Sequence, residues 1–96
     1  MVPGAAAGAG LSIALSCDLR IASTSAKFTT AFGRVGYSGD FGGSYFLTRL
    51  VGTAKARELY FTSALIDAEN ALKLGVVNRV ISDEDLEAET LSLIHI

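Results

Sequence analysis

A run of small and apolar residues near the start of the chain, residues 4–16 (GAAAGAGLSIALS), most constrains how it can fold. Residues 8–16 are small or apolar on every side of a helical wheel, which predicts a short helix that is buried on every face. The small residues Gly8, Ala9 and Gly10 at its start have two possible roles. They either allow tight helix packing or leave backbone N–H groups open to an oxyanion at the positive end of the helix dipole.

The composition predicts a folded, largely buried segment. Of the 96 residues, 50% are hydrophobic and 19% are charged, which excludes an intrinsically disordered chain. The net charge is −2 and the 8 Lys and Arg residues are scattered, so we expect no nucleic-acid partner. The single cysteine, Cys17, cannot form a disulfide framework and indicates a reducing compartment, so we expect a cytoplasmic location.

Both ends of the sequence carry a prediction about what the chain is. The N-terminal apolar stretch has no basic residue before Arg20 and is too short and glycine-rich to span a bilayer, so we expect an internal piece of a soluble protein with no membrane partner. Residues 91–96 (LSLIHI) resemble a translated sequencing adapter. We therefore expect a partial domain over residues 1–90 and a non-native tail over residues 91–96, in which His95 has no functional role.

Strand patterns occur mostly in the first half of the chain. Alternating, β-branched or aromatic residues predict strands over residues 18–22, 27–32 and 76–81. In the first of these strands, Leu19 and Ile21 would share a face.

Helix patterns dominate the second half. A helix is predicted over about residues 41–51, with Leu47, Leu50 and Val51 as its apolar stripe and Gly52 at its C-terminal end. The next two helices are predicted to be capped by Thr53 and Asp67, and Gly75 ends the second of them. Ser82 and Asp85 resemble a capping box at the start of a final helix.

Asp40 is a lone carboxylate in the glycine-rich segment over residues 36–46 (GYSGDFGGSYF). The glycines do not match the nucleotide-binding patterns, and no His or Cys cluster has the spacing of a metal site, so we expect no metal. Two readings of Asp40 stay open. It is either the N-cap of the following helix or a general base, whose pKa the apolar Phe32, Phe41 and Tyr45 could raise.

Three stretches together resemble a known family. They are GAAAGAGLSIALSCDLRIAS, AKFTTAFGRVGYSGDFGGSYFLTRLVG, and AKARELYFT with IDAENALKLGVVNRVI. In order and spacing they are similar to the second half of the crotonase (enoyl-CoA hydratase/isomerase) superfamily core, over about residues 4–85. The resemblance implies an α/β protein with part of the ββα spiral fold, acyl-CoA thioester substrates, and assembly as trimers or hexamers. It implies no cofactor apart from the coenzyme A of the substrate.

The family resemblance also implies site residues. Members polarise the thioester carbonyl with two backbone N–H groups, and one of these falls here on Ala9, while the other would lie in a preceding segment. Hydratases of the family carry two glutamates, and the matching positions here are Ser12 and Phe32. Asp40 matches the position at which isomerase and dehalogenase members carry a catalytic aspartate.

We therefore expect part of an isomerase-type enzyme that stabilises a thioester enolate. A single carboxylate can move a proton from one carbon to another, whereas hydration also has to activate a water molecule. Asp40 would be the catalytic residue, Ala9 an oxyanion donor, and Ser12, Phe32, Phe41 and Tyr45 the substrate pocket. The alternatives are an enoyl-CoA hydratase with displaced acid and base, and a chain that is non-catalytic by itself.

Overall fold

The computed structural model describes residues 1–30 and 42–94 of the chain. These residues form a mixed α/β arrangement, as the sequence predicts. The strands are β1 (Ala5–Ala7), β2 (Ile21–Ser23), β3 (Lys27–Thr29), β4 (Ile66–Asp67) and β5 (Arg79–Ile81). The helices are α1 (Ala9–Leu15), α2 (Gly43–Val51), α3 (Thr53–Thr62), α4 (Ala68–Leu74) and α5 (Leu86–Ile94).

The strands form two separate sheets within the described residues. In the first sheet, β3 pairs in parallel with β1 and antiparallel with β4, in the order β1-β3-β4. In the second sheet, β2 and β5 pair in parallel, and Val2 adds an isolated bridge to Ala22. Strands adjacent in sequence, such as β1 and β2, therefore contribute to different sheets, which brings distant parts of the chain together.

Helices α1, α2 and α4 and the first sheet enclose an apolar core. Phe28 of β3, Leu47 of α2 and Val76 after α4 are among the largest fully buried side chains. Several core positions hold only alanine, which lets helices and strands approach closely. None of the described helices is long and apolar enough to cross a membrane.

Helix α1 is confirmed, but its predicted burial on every face is wrong. Leu11, Ser12 and Leu15 are buried, whereas the Ile13 side chain is 57% exposed. The main contacts of α1 are with α2 and β1, so only one side of this short helix is covered.

The strands β2 and β5 are shorter than predicted. Arg20 and Asn78, which lie just before them, form hydrogen bonds to each other outside the strand ladder. The Arg20 N–H donates to Asn78 Oδ1 at 2.8 Å, and the Asn78 N–H donates to Arg20 O at 2.8 Å. The Arg20 guanidinium donates through Nε to Val76 O at 2.6 Å and through Nη1 to Cys17 O at 2.7 Å. Leu19 is therefore 51% exposed while Ile21 is 3% exposed, so they do not share a face.

The β5 segment differs from prediction for a second reason. The N–H groups of Val76 and Val77 donate to Ala71 O, at 2.9 and 3.4 Å, so these residues close the end of α4 instead of joining the strand ladder. The strand predicted over residues 27–32 is observed as Lys27–Thr29, and its last two positions lie outside the described residues.

Most helix ends follow the predicted signals. Gly52 and Gly75 adopt positive φ at 88° and 87°, and Asp67 caps α4 through a hydrogen bond from the Asn70 N–H at 2.9 Å. Thr53 is not a cap. It is the first residue of α3, and Gly52 both ends α2 and precedes α3.

The last helix, α5, follows a turn in which the Ser82 hydroxyl donates to Asp85 Oδ2 at 3.0 Å. The helix includes residues 91–94, so these four positions continue a regular element. The origin of residues 91–96 stays a prediction.

We expect Ser63→Gly to stabilise the chain. Ser63 adopts a left-handed conformation with φ 49°, and within the described part of the chain its buried hydroxyl has no hydrogen-bond partner. Glycine removes the backbone strain and the unpaired hydroxyl, and the greater flexibility of the unfolded chain offsets only part of this gain. The free energy of unfolding should therefore rise by about 1 kcal/mol. Urea unfolding measures this. Ser63→Ala removes the hydroxyl but keeps the Cβ, so it should gain less; equal gains would contradict the backbone explanation.

We expect the stability of the chain to fall in acid through Asp83. Hydrogen bonds from Ser23 and Ser25 lower the pKa of the Asp83 carboxyl below its ordinary value of 3.8. Ser25 Oγ lies 3.0 and 3.1 Å from the two carboxylate oxygens, and Ser23 Oγ lies 2.8 Å from Ser25 Oγ. Because the pKa is lowered by folding, the stabilisation is complete above the ordinary pKa and is lost as the pH falls below it.

The measurement compares thermal midpoints of the wild type and Asp83→Asn from neutral pH to pH 2. The stability difference between them should shrink in acid, because the wild type loses the contribution that the variant never had. Parallel curves over the whole range would contradict this role for Asp83.

Candidate functional site

The turn between β1 and α1 places the Ala9 N–H at the start of a helix. Gly8 makes this turn with φ 54°, and its own N–H donates to Thr29 O at 3.1 Å, which ties the turn to the end of β3. Ala9 is the first residue of α1 and is half-buried. Within residues 1–30 and 42–94, no carbonyl oxygen accepts a hydrogen bond from the Ala9 N–H. Its role as an oxyanion donor stays a prediction.

Ser12 lies one turn further along α1, in the contact of α1 with α2. Its side chain is 1% exposed, and its hydroxyl makes a long hydrogen bond of 3.4 Å to Gly8 O. Position 12 is thus filled and closed to solvent in the described structure. Its place in a substrate pocket stays a prediction.

Gly43 is the point at which three helices meet. A methyl group at Gly43 would lie 2.7 Å from Tyr60 Oη of α3 and 3.0 Å from Ser12 Cβ of α1, and Ser12 Oγ would be closer still. Only a residue without a side chain fits at this point. The sequence analysis did not identify the Tyr60 hydroxyl at Gly43; the double glycine at the start of α2 was the available signal.

Tyr45 lies on the outer side of α2 and is 59% exposed. Its hydroxyl accepts a hydrogen bond from Arg49 Nη1 at 3.0 Å, and its ring packs edge-on against Phe46 with centroids 5.4 Å apart. The structure therefore does not bring Tyr45 into a closed pocket with Ser12, and its role in substrate binding stays a prediction.

The start of α2 bears on the two interpretations of Asp40, as a helix N-cap or as a general base. The helix begins at Gly43 and its N-cap is Gly42, two residues later than a cap at Asp40 requires. The predicted helix start near residue 41 is corrected accordingly. Asp40, Phe32 and Phe41 themselves lie outside the described residues.

An apolar cavity lies among β3, α1, α2 and α3. Its walls come from both polar and apolar side chains of β3 and from large aliphatic side chains of the helices. The lining residues are Leu11, Phe28, Thr29, Thr30, Leu47, Leu59, Ala64, Ile66 and Val76. The hydroxyls of Thr29 and Thr30 donate to Ser63 O and Leu59 O, at 2.9 and 3.0 Å.

A more open cleft lies between the end of α1 and α2 and includes Cys17, Arg20 and Arg49. Burial lowers the pKa of the Arg20 guanidinium, and the nearby Cys17 opposes that shift. Two main-chain carbonyls accept hydrogen bonds from Arg20, so it serves the fold. Among the described residues, no group of three His, Cys, Asp or Glu side chains could hold a metal ion.

Comparison with known proteins identifies the family. The family described as enoyl-CoA hydratase/isomerase matches residues 1–95. The chain belongs to this family. The match includes the Gly8–Ala9 turn and the Gly42–Gly43 pair.

Curated relatives of this family member include several enzymes. A short-chain-enoyl-CoA hydratase from Clostridioides difficile is 46% identical over 88% of the chain and 54% of the relative. A trans-2-decenoyl-[acyl-carrier-protein] isomerase from Streptococcus mutans is 42% identical, over 91% of the chain and 33% of the relative. A 4-chlorobenzoyl coenzyme A dehalogenase from an Arthrobacter species is 37% identical, over 91% of the chain and 32% of the relative.

Solved structures confirm the crotonase-type fold. Enoyl-CoA hydratase subunit I from Geobacillus kaustophilus superposes with a TM-score of 0.93 at 42% identity, over 97% of the chain and 36% of that protein. A protein described as an enoyl-CoA hydratase from Thermobifida fusca, solved in complex with CoA, gives 0.93 at 39% identity, over 96% of the chain and 36% of that protein. The chain thus spans between about a third and about half of the length of these relatives.

Proposed function

We propose that the chain forms the C-terminal half of the catalytic core of an acyl-CoA enzyme that stabilises a thioester enolate. Ala9 would provide one backbone N–H to the thioester oxygen, and the preceding segment would provide the other. Two features support this: membership of the enoyl-CoA hydratase/isomerase family, and the half-buried Ala9 N–H at the start of α1. A preorganised N–H in a dry site stabilises the negative charge that develops on the oxygen.

We propose further that the complete enzyme is of the isomerase type. The observation that carries this proposal is Ser12, which occupies a position where the resemblance implies a hydratase glutamate. Its hydroxyl lies in the contact of three helices and is closed to solvent, so it cannot activate a water molecule as a carboxylate would. Asp40 would then be the single acid/base, removing a proton from one carbon of the substrate and returning it to another.

The substrate would be an acyl-CoA thioester, and the coenzyme A would enter as part of the substrate. The isomerase and the dehalogenase among the relatives are consistent with a family that carries more than one reaction. The complete enzyme would be a homotrimer or hexamer located in the cytoplasm, as the resemblance and the reduced Cys17 suggest.

Hydration of an enoyl-CoA is the second candidate function. The curated relatives include a short-chain-enoyl-CoA hydratase and a crotonyl-CoA hydratase, at 46% and 41% identity. In that case the acid and base would come from side chains other than Ser12 and Phe32. Product profiles with enoyl-CoA esters separate the two functions, because only hydration adds water to the substrate.

The isomerase proposal predicts that Asp40→Asn in the complete enzyme abolishes exchange of substrate α- or γ-protons with D2O. Loss of the general base should lower the exchange rate by at least about 100-fold, with nearly unchanged binding of the CoA ester. Proton NMR of the substrate in D2O measures the exchange.

Asp67→Asn is the matched control for this substitution. Asp67 caps α4, and asparagine caps a helix as well as aspartate does, so the exchange rate should not change. Unchanged exchange in Asp40→Asn as well would show that Asp40 is not the base.

The proposal that the chain is part of a larger site predicts that the 96-residue chain by itself shows no turnover of enoyl-CoA esters. One of the two oxyanion donors would be missing, and loss of one such donor typically costs about 100- to 1,000-fold in rate. A spectrophotometric assay with crotonyl-CoA checks this. Measurable turnover by the chain would contradict the division of the site between two segments.

A further inference from the structure

Tyr60 occupies a special position on α3. Its hydroxyl and the Ser12 side chain both lie against Gly43, at the point where α1, α2 and α3 meet. The buried Ala56 and Leu59 anchor the same helix in the core.

Position 12 is buried in a close contact of the described helices. Ser12 is 1% exposed, and a single methyl group at Gly43 would already be within 3.0 Å of Ser12 Cβ. A glutamate at position 12 has three more side-chain atoms than serine and carries a charge. It would therefore overpack this contact and bury a carboxylate without water.

Two of the groups at this contact offer no side chain that could be shortened. Gly43 has no side chain, and the hydrogen-bond acceptor of Ser12 is the main-chain oxygen of Gly8. The Tyr60 hydroxyl also lies against Gly43, and the Tyr60 side chain can be truncated.

We propose that Tyr60 is a specificity-determining residue, because it excludes a carboxylate from position 12 and so restricts the site to reactions that need one acid/base. The effect on reaction type rests on the proposed function. The exclusion of a carboxylate from position 12 is inferred from the packing at Gly43 alone.

The surroundings of Tyr60 indicate what its removal would open. Tyr60 is half-buried and lines an open cleft between α2 and α3, together with Ser44, Thr48 and Arg57. Truncation of Tyr60 would connect position 12 with this cleft. A carboxylate at position 12 would then reach water, and the Arg57 guanidinium would lie on the same cleft as a possible counter-charge.

The test is a double-mutant cycle in the 96-residue chain. Ser12→Glu alone should raise the unfolding equilibrium constant by about 100-fold, as overpacking and a buried charge predict. Adding Tyr60→Ala should reduce this penalty by at least about tenfold relative to the sum of the single changes. Urea unfolding of the four proteins gives the interaction.

The pKa of the introduced glutamate provides a second readout that a general loss of packing would not change. With Tyr60 present, burial should raise the pKa of the Glu carboxyl at position 12 well above its ordinary value of about 4.3. With Tyr60→Ala, contact with water should bring the pKa back toward that value. NMR titration of the side-chain carboxyl carbon measures both.

Phe61→Ala is the matched control. Phe61 is the neighbouring aromatic residue on α3 but is 82% exposed, so its truncation should not relieve the Ser12→Glu penalty. If Ser12→Glu alone does not fold, the proposal requires that Ser12→Glu with Tyr60→Ala folds and that Ser12→Glu with Phe61→Ala does not.

The proposal is overturned if Ser12→Glu is tolerated with Tyr60 present, if Tyr60→Ala gives no recovery, or if Phe61→Ala recovers as much. These outcomes are independent of the proton-exchange test of Asp40, because the cycle measures packing and not turnover. The exclusion by Tyr60 and the isomerase function can therefore fail separately.

Discussion

The close contact of three helices at Gly43 determines much of the geometry of this chain. Because Gly43 has no side chain, α1 can place Ser12 directly against the first turn of α2, and α3 can place Tyr60 there as well. The same contact fixes α1 relative to α2, and α1 carries the Ala9 N–H at its start. A single missing side chain thus sets the distance between the elements from which the proposed site is built.

The second constraint is the buried Arg20, which joins the two segments that precede the strands of the second sheet. Its guanidinium and main chain make hydrogen bonds with Cys17, Val76 and Asn78, and these contacts bridge sequence separations of 56 to 58 residues in two cases. Burial disfavours the charged form, as the lowered pKa of Arg20 indicates, but carbonyl oxygens accept hydrogen bonds from its Nε and Nη1. The stability of the β2–β5 pair therefore depends on a polar contact that no apolar residue could replace in kind.

The sequence predicted helix ends well where a single residue type determines them. Gly52, Gly75 and Asp67 mark helix ends in the sequence and in the structure, because glycine favours positive φ and aspartate favours side-chain capping. The prediction that Thr53 caps α3 was wrong, because Gly52 holds the position before the helix and Thr53 is its first residue. The burial of α1 and the bounds of β2 and β5 failed because they depend on partners far along the chain, which periodicity does not identify.

The candidate site was predictable to a smaller extent than the fold. The Gly8 turn sets the backbone position of Ala9. The run of small residues and the family resemblance both predict this turn. The approach of Tyr60 and Ser12 to the same glycine, Gly43, depends on how α3 packs on α2, and no local pattern contains that information. The same contact suggests how reaction type can be encoded in a common fold. The side chains that touch a position decide whether it can hold a charged group, so residues on a third helix can limit the chemistry without contacting the substrate.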